Sequence, residues 1–180
     1  MLYSKFQNLE YGITMLLPQD ILPLMVLFKE SPNEPLHQAK LSIRLHWSAS
    51  ALHRSLLRLN DSKLWNKSSN RVDHHVTINF LRYGLPHVFP AEMQTLCRGM
   101  TTAQLPEISR PEIPFVWPDE SSSTMGIGVQ PLDAGFVYLS HNETELKPWL
   151  DLVEVFRLGR VREIALAVKT MEEEYASRNA

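Results

Sequence analysis

Two short amphipathic segments joined by a tight turn lie between Leu36 and Leu59, and they constrain the fold more than any other feature. In the first segment, leucines recur one helical turn apart, and in the second they recur at spacings of four and three. A tryptophan occupies the turn, and the serine after it, Ser48, is a good N-cap for the second helix. The pattern predicts a helix-turn-helix with these residues facing inward: Leu41, Leu45, Trp47, Leu52, Leu56 and Leu59.

Charge is distributed unevenly along the chain. The net charge is −2, yet the stretch from Leu36 to Tyr83 holds eight Lys or Arg and two Asp or Glu, a local charge of +6. The remainder holds ten basic and 18 acidic residues, a charge of −8. A basic module attached to acidic surroundings is typical of a protein that contacts a polyanion through one segment.

The helix-turn-helix segment resembles the bacterial winged helix-turn-helix regulators. In those proteins a leucine, a small turn residue and an apolar residue precede the run Ser-x-Ser-x-x-x-Arg at the start of the recognition helix. Ser48, Ser50 and Arg54 match that run. The resemblance spans roughly a quarter of the chain, from Asp20 to Leu64. It departs at the turn, where His46 replaces the usual glycine and must either tolerate a left-handed backbone or be held in another way.

The resemblance implies sequence-specific binding of duplex DNA, with the second helix in the major groove. Ser48, Ser50 and the first amides of that helix are expected to donate to phosphate, and Arg54 to contact guanine or phosphate. A homodimeric transcriptional regulator acting on a two-fold related site is expected. The other candidate DNA-binding residues are outward-facing residues of the second helix and flanking cations: Ala51, His53, Arg58, Lys40, Arg44, Lys63 and Lys67.

The predicted fold class is mainly α, with a three-helix winged or wingless helix-turn-helix core. An apolar run over Ile21 to Phe28 predicts the first helix of that core, and apolar spacing over Arg71 to Tyr83 predicts a helix where a wing would stand. Prolines crowd the stretch from Pro86 to Pro118 and predict an irregular segment, followed by a short extended piece at Gly126 to Leu132. A helical hairpin broken at Gly159 is expected at the C-terminus.

The predicted organisation has four parts. An N-terminal arm (1–16) precedes a helix-turn-helix DNA-binding domain (17–84). A Pro-rich irregular segment (85–142) and C-terminal helices (143–180) for dimerisation or partner binding follow. An alternative is an antitoxin-type or adaptor protein, in which residues 85–180 bind a protein partner and DNA binding serves autoregulation.

No catalytic, metal or cofactor site is predicted, and the chain is not expected to be an enzyme. The single cysteine, Cys97, excludes an internal disulfide and fits a reducing cytoplasm. A nucleophilic pair of Cys97 with His87 would require an activating environment. The histidines around His74 and His75 match no known zinc-finger spacing. Because the sequence has neither a signal-peptide pattern nor an apolar run that could span a bilayer, a cytoplasmic protein without a membrane partner is expected.

Overall fold

The computed structural model describes residues 15–30, 37–108 and 112–179. A 3-10 turn at Pro18–Asp20 leads into helix α1 (Ile21–Lys29), which is buried over nearly its whole length. Helices α2 (Gln38–Arg44) and α3 (Ala49–Asp61) follow. The helix predicted over Ile21 to Phe28 and the two helices predicted around Trp47 are confirmed. The predicted arm lies outside the described residues except for its last two positions.

A short hairpin and a bent helical stretch follow α3. Strands β1 (Trp65–Asn66) and β2 (Arg71–Val72) pair antiparallel, and β1 leads directly out of the α3 C-terminus. Helix α4 (His74–Asn79) continues through a π-helical turn (Phe80–Gly84) into α5 (Leu85–Val88). The prediction of one helix over Arg71 to Tyr83 is therefore wrong at both ends. Its first two residues form a strand, and the helical path passes Pro86 because that proline lies in the first turn of α5, where its missing N–H costs little.

Three strands form a small closed sheet in the second half of the chain. Strand β3 (Met93–Thr102) pairs antiparallel with both β4 (Phe115–Pro118) and β5 (Met125–Val129), and β4 pairs parallel with β5. The first half of β3 pairs with β5 and its second half with β4. The strands approach very closely at Gly99, where a Cβ atom would lie 2.1 Å from the Trp117 carbonyl oxygen. Only glycine fits that crossing.

Helices α6 (Gly135–Asn142), α7 (Lys147–Leu158) and α8 (Val161–Asn179) complete the fold. Gly159 separates α7 from α8, which confirms the predicted break. Helix α7 is buried from Trp149 to Phe156 and packs against α1, α5, α6 and α8. One hydrophobic cluster joins α1, the inner face of α3, α7 and part of α8, so the two ends of the described chain share a core. No helix in the described ranges is long and apolar enough to cross a membrane.

The predicted fold class, mainly α with a three-helix helix-turn-helix core, is wrong because the chain is mixed α/β. The error lies in residues 85–142, which were predicted to be irregular apart from one short extended piece. That segment contains β3, β4, β5 and α6. Among the described prolines of this segment, Pro86 lies in the first turn of α5, and the others lie at strand ends or in connections, as Pro118 does at the end of β4. Prolines at such positions are compatible with short strands.

Candidate nucleic-acid interface

The turn between α2 and α3 is held by backbone hydrogen bonds and by one left-handed residue. The N–H groups of His46 and Trp47 donate to carbonyls in the last turn of α2, in the pattern of a Schellman cap. This cap requires a left-handed residue, and His46 occupies that position with a φ of 55°. The Ser48 hydroxyl then caps α3 by accepting a hydrogen bond from the Ala51 N–H at 3.2 Å. The predicted Ser48 cap is confirmed, and of the two possibilities for His46 the structure has the left-handed backbone.

Helix α3 has a buried face and an exposed face. Leu52, Leu56 and Leu59 are buried in the shared core, as their spacing predicts. On the opposite side, Ser50, His53 and Arg54 are exposed near the start of the helix, and Ala51 is half-buried. The Ser50 hydroxyl lies 3.2 Å from the Ser48 hydroxyl. Arg54 forms no salt bridge or hydrogen bond with the described part of the chain.

Further cations flank the exposed face of α3. Lys40 is exposed on α2, Lys63 follows the end of α3, and Lys67 lies in the turn of the β1–β2 hairpin. The hairpin is attached to α3, because the Lys67 N–H donates to the Asn60 side-chain oxygen at 3.1 Å. Within the described ranges, none of these three lysines pairs with a carboxylate. Their charges are therefore available to an anionic partner.

Two of the predicted DNA-contacting residues, Arg58 and Arg44, form ion pairs within the protein. Arg58 donates from two nitrogens to the buried carboxylate of Asp20, at 2.7 and 2.6 Å. Arg44 forms a bidentate pair with Glu143 and a further pair with Glu30. The hydrogen bond to Glu143 raises the Arg44 pKa, and the same contact lowers the Glu143 pKa. These guanidinium groups connect α2 and α3 to the rest of the fold, and we leave both out of the candidate interface.

Sequence reasoning missed one member of the exposed basic set and one supporting residue. Arg71 is exposed on β2 and forms no ion pair with the described part of the chain, whereas the apolar spacing predicts a helix at this position. Arg71 is one of the eight basic residues counted in the positively charged stretch from Leu36 to Tyr83. The supporting residue is Asp20, whose carboxylate accepts hydrogen bonds from Arg58 and Ser55. No sequence signal joins Asp20 to α3, because the contact spans 35 or more positions.

Metal-binding groups and one Asp–His–Ser cluster are the other polar arrangements considered in the described residues. In the described residues, no group of three or more His, Cys, Asp or Glu side chains is arranged to hold a metal. Asp119, His141 and Ser121 do meet, but the aspartate and the serine both approach the same imidazole nitrogen, Nε2, at 2.7 and 3.5 Å. A proton relay needs one partner on each ring nitrogen. Asp119 accepts hydrogen bonds from Ser122, His141 and Ser121, and these bonds, that from Ser122 first, lower its pKa. The Asp119 carboxylate thus caps the turn formed by Ser121 and Ser122.

Comparison of the chain with protein-family models, with curated proteins and with solved structures finds no match.

Proposed function

We propose that this chain binds duplex DNA through the exposed face of α3 and acts as a transcriptional regulator in the cytoplasm. The observation that supports this most directly is the exposure of Ser50, His53 and Arg54 at the start of a helix whose other face is fixed in the core. A helix presented in this way fits the major groove, where the residues of its first turns reach base edges.

The rigidity of α3 supports the proposal. The Asp20 carboxylate accepts from Arg58 and from the buried hydroxyl of Ser55, which attaches α3 to the start of α1. The Schellman cap before Ser48 sets the direction in which α3 leaves the turn. A recognition helix held in this way loses little conformational entropy when it binds, so more of its contact energy contributes to affinity.

Each exposed residue has a distinct role in the proposed complex. Ser48, Ser50 and the free amides of the first turn of α3 donate to a phosphate, aided by the positive end of the helix dipole. Arg54 reads guanine with two parallel hydrogen bonds. The flanking cations neutralise phosphates on either side and make affinity fall with salt. These cations are Lys40, Lys63, Lys67 and Arg71.

The proposal includes a homodimer. Two copies related by a two-fold axis would place two α3 helices in successive major grooves of a pseudo-palindromic site. The expected stoichiometry is two chains per duplex, which analytical ultracentrifugation of the complex would measure. Binding of one chain per duplex would contradict the dimer and leave the DNA contact intact.

The experiment that tests the proposal is selection of bound sequences from random duplex DNA, followed by fluorescence anisotropy on the enriched duplex. We expect Arg54→Ala to weaken specific binding by roughly 5-fold to 150-fold and to relax preference at the contacted base pair. Arg98→Ala is the matched control, because Arg98 is an exposed arginine on β3, outside the proposed surface. Arg54→Ala protein that keeps wild-type affinity and sequence preference would contradict the proposal.

The same selection experiment, together with purification from native cells, distinguishes DNA binding from the alternative of an antitoxin-type or adaptor protein. If no sequence is enriched and a second protein co-purifies from native cells in stoichiometric amount, the protein-binding alternative replaces DNA binding as the main function. Enrichment of one sequence by the isolated chain would favour the regulator.

A further inference from the structure

A cavity of about 770 Å³ lies away from α3, and nothing in the proposed DNA contact uses it. It is enclosed by the connection from α5 to β3, the end of β3 with the loop that follows, the start of β4, and the junction of α7 with α8. Sites for small organic molecules typically measure about 300–1,000 Å³. The cavity is therefore large enough for one such molecule.

The walls of the cavity are mainly apolar. Leu105 and Val155 are buried at its base, and Phe115 and Leu158 are half-buried beside them. Toward the opening, the large apolar side chain of Ile113 remains 50% exposed. An apolar occupant would remove this surface from water and gain free energy in proportion to the area covered.

The charged side chains in the described part of the lining form hydrogen bonds within the protein or lie beside a residue of opposite charge. The Arg157 guanidinium donates to Glu154 and to the carbonyls of Phe89 and Pro90, so it supports the wall. Glu163 accepts a hydrogen bond from the Arg160 N–H at the start of α8 and offsets the charge of that residue. Among the lining residues that the structure describes, an ionic ligand would find no complementary excess charge, which favours an uncharged occupant.

Thr102 is in the lining, but it is 2% exposed and its hydroxyl lies beside the buried Asp151 carboxylate. Hydrogen bonding from Thr102 helps to lower the Asp151 pKa against the effect of burial. Asp151 lies outside the lining, so the Thr102 hydroxyl is directed to Asp151 and is not counted as a polar group of the cavity.

From the cavity volume, the apolar lining and the balanced charges, we propose that this cavity binds an uncharged, largely apolar organic molecule. The site is independent of DNA binding.

Titration of the full-length protein with Nile red tests the proposal. This dye is an uncharged fused-ring molecule with a ring carbonyl, and its fluorescence rises and shifts to shorter wavelength in apolar surroundings. We expect saturable binding of one dye per chain. Ala91→Trp, which fills the cavity from its lining, is expected to weaken binding at least tenfold, whereas Ala134→Trp, in an exposed turn outside the lining, is expected to leave it unchanged.

Circular dichroism of the two tryptophan variants guards against a folding defect, because both are expected to keep the wild-type spectrum. Non-saturable binding, or binding that is equal in wild-type and folded Ala91→Trp proteins, would overturn the proposal.

Discussion

At the scale of single residues, Asp20 determines how α3 is held. Its side chain is completely buried, and its carboxylate accepts from Arg58, from Ser55 and from the Leu17 N–H. A buried charge is tolerated because every donor around it is aligned. The residue therefore supports the proposed DNA-binding helix without touching its exposed face.

Replacement of this carboxylate should be costly. In Asp20→Ala, the mostly buried Arg58 guanidinium and the Ser55 hydroxyl lose their partner, and we expect a loss of about 3–5 kcal/mol in the free energy of unfolding. Urea denaturation followed by circular dichroism measures it. Asp61→Ala, at the exposed end of α3, is the control and should change stability by less than about 0.5 kcal/mol. Similar losses in the two variants would mean that the Asp20 network contributes nothing specific.

Asp151 illustrates a buried acid that responds to pH. Burial raises the pKa of Asp151 to about 6, although Lys147 lies 2.6 Å away and opposes the shift. The folded protein thus binds this proton more tightly than the unfolded chain does. The stabilisation that the proton provides is complete below the ordinary value near 3.8 and is lost as the pH rises through about 6.

Asp151→Asn should remove this dependence. We expect the unfolding free energy of the wild type, measured relative to Asp151→Asn, to fall by about 2–3 kcal/mol between about pH 4 and pH 7. Chemical denaturation across that range measures the difference. Glu120→Gln, which alters an exposed carboxyl, should follow the wild-type profile. Parallel profiles for wild type and Asp151→Asn would contradict the assignment.

At the scale of secondary-structure elements, helices were predictable where their contacts repeat locally. Leu52, Leu56 and Leu59 share one face of α3 by spacing alone, and Ser48 marks its start. Strand β3 has no such signature, because most of its first half is exposed on both faces and does not alternate. Its pairing with β4 and β5 depends on residues that lie beyond intervening loops, and a single sequence does not encode those contacts as a period.

The sequence leaves open whether a hairpin follows α3, for a different reason. Each strand has two residues, too few to show alternation. The turn between them carries a recognisable signal: the Asn66 side chain accepts from the N–H groups of Ser68 and Ser69, and Asn70 is left-handed with a φ of 55°. Turn chemistry was therefore the better predictor here than the apolar spacing that suggested a helix.

At the scale of the whole molecule, the segments predicted as 17–84 and 143–180 share one hydrophobic cluster. The Arg44–Glu143 pair adds a polar connection between them. Residues of the acidic part of the chain therefore pack against the helices that carry the basic residues.

If charge segregation directs DNA binding, the position of a lost charge should matter more than the loss itself. We expect Lys40, Lys63 and Lys67, changed together to Gln, to reduce the slope of log affinity against log salt by about 2–3, since each neutralised phosphate contributes about 0.9. Anisotropy titrations at several salt concentrations measure that slope. The control changes Arg98, Arg162 and Lys169 to Gln, which removes the same charge from exposed positions outside the proposed surface. If both triple variants lower the slope equally, net charge alone governs binding, and the α3 surface has no special part in it.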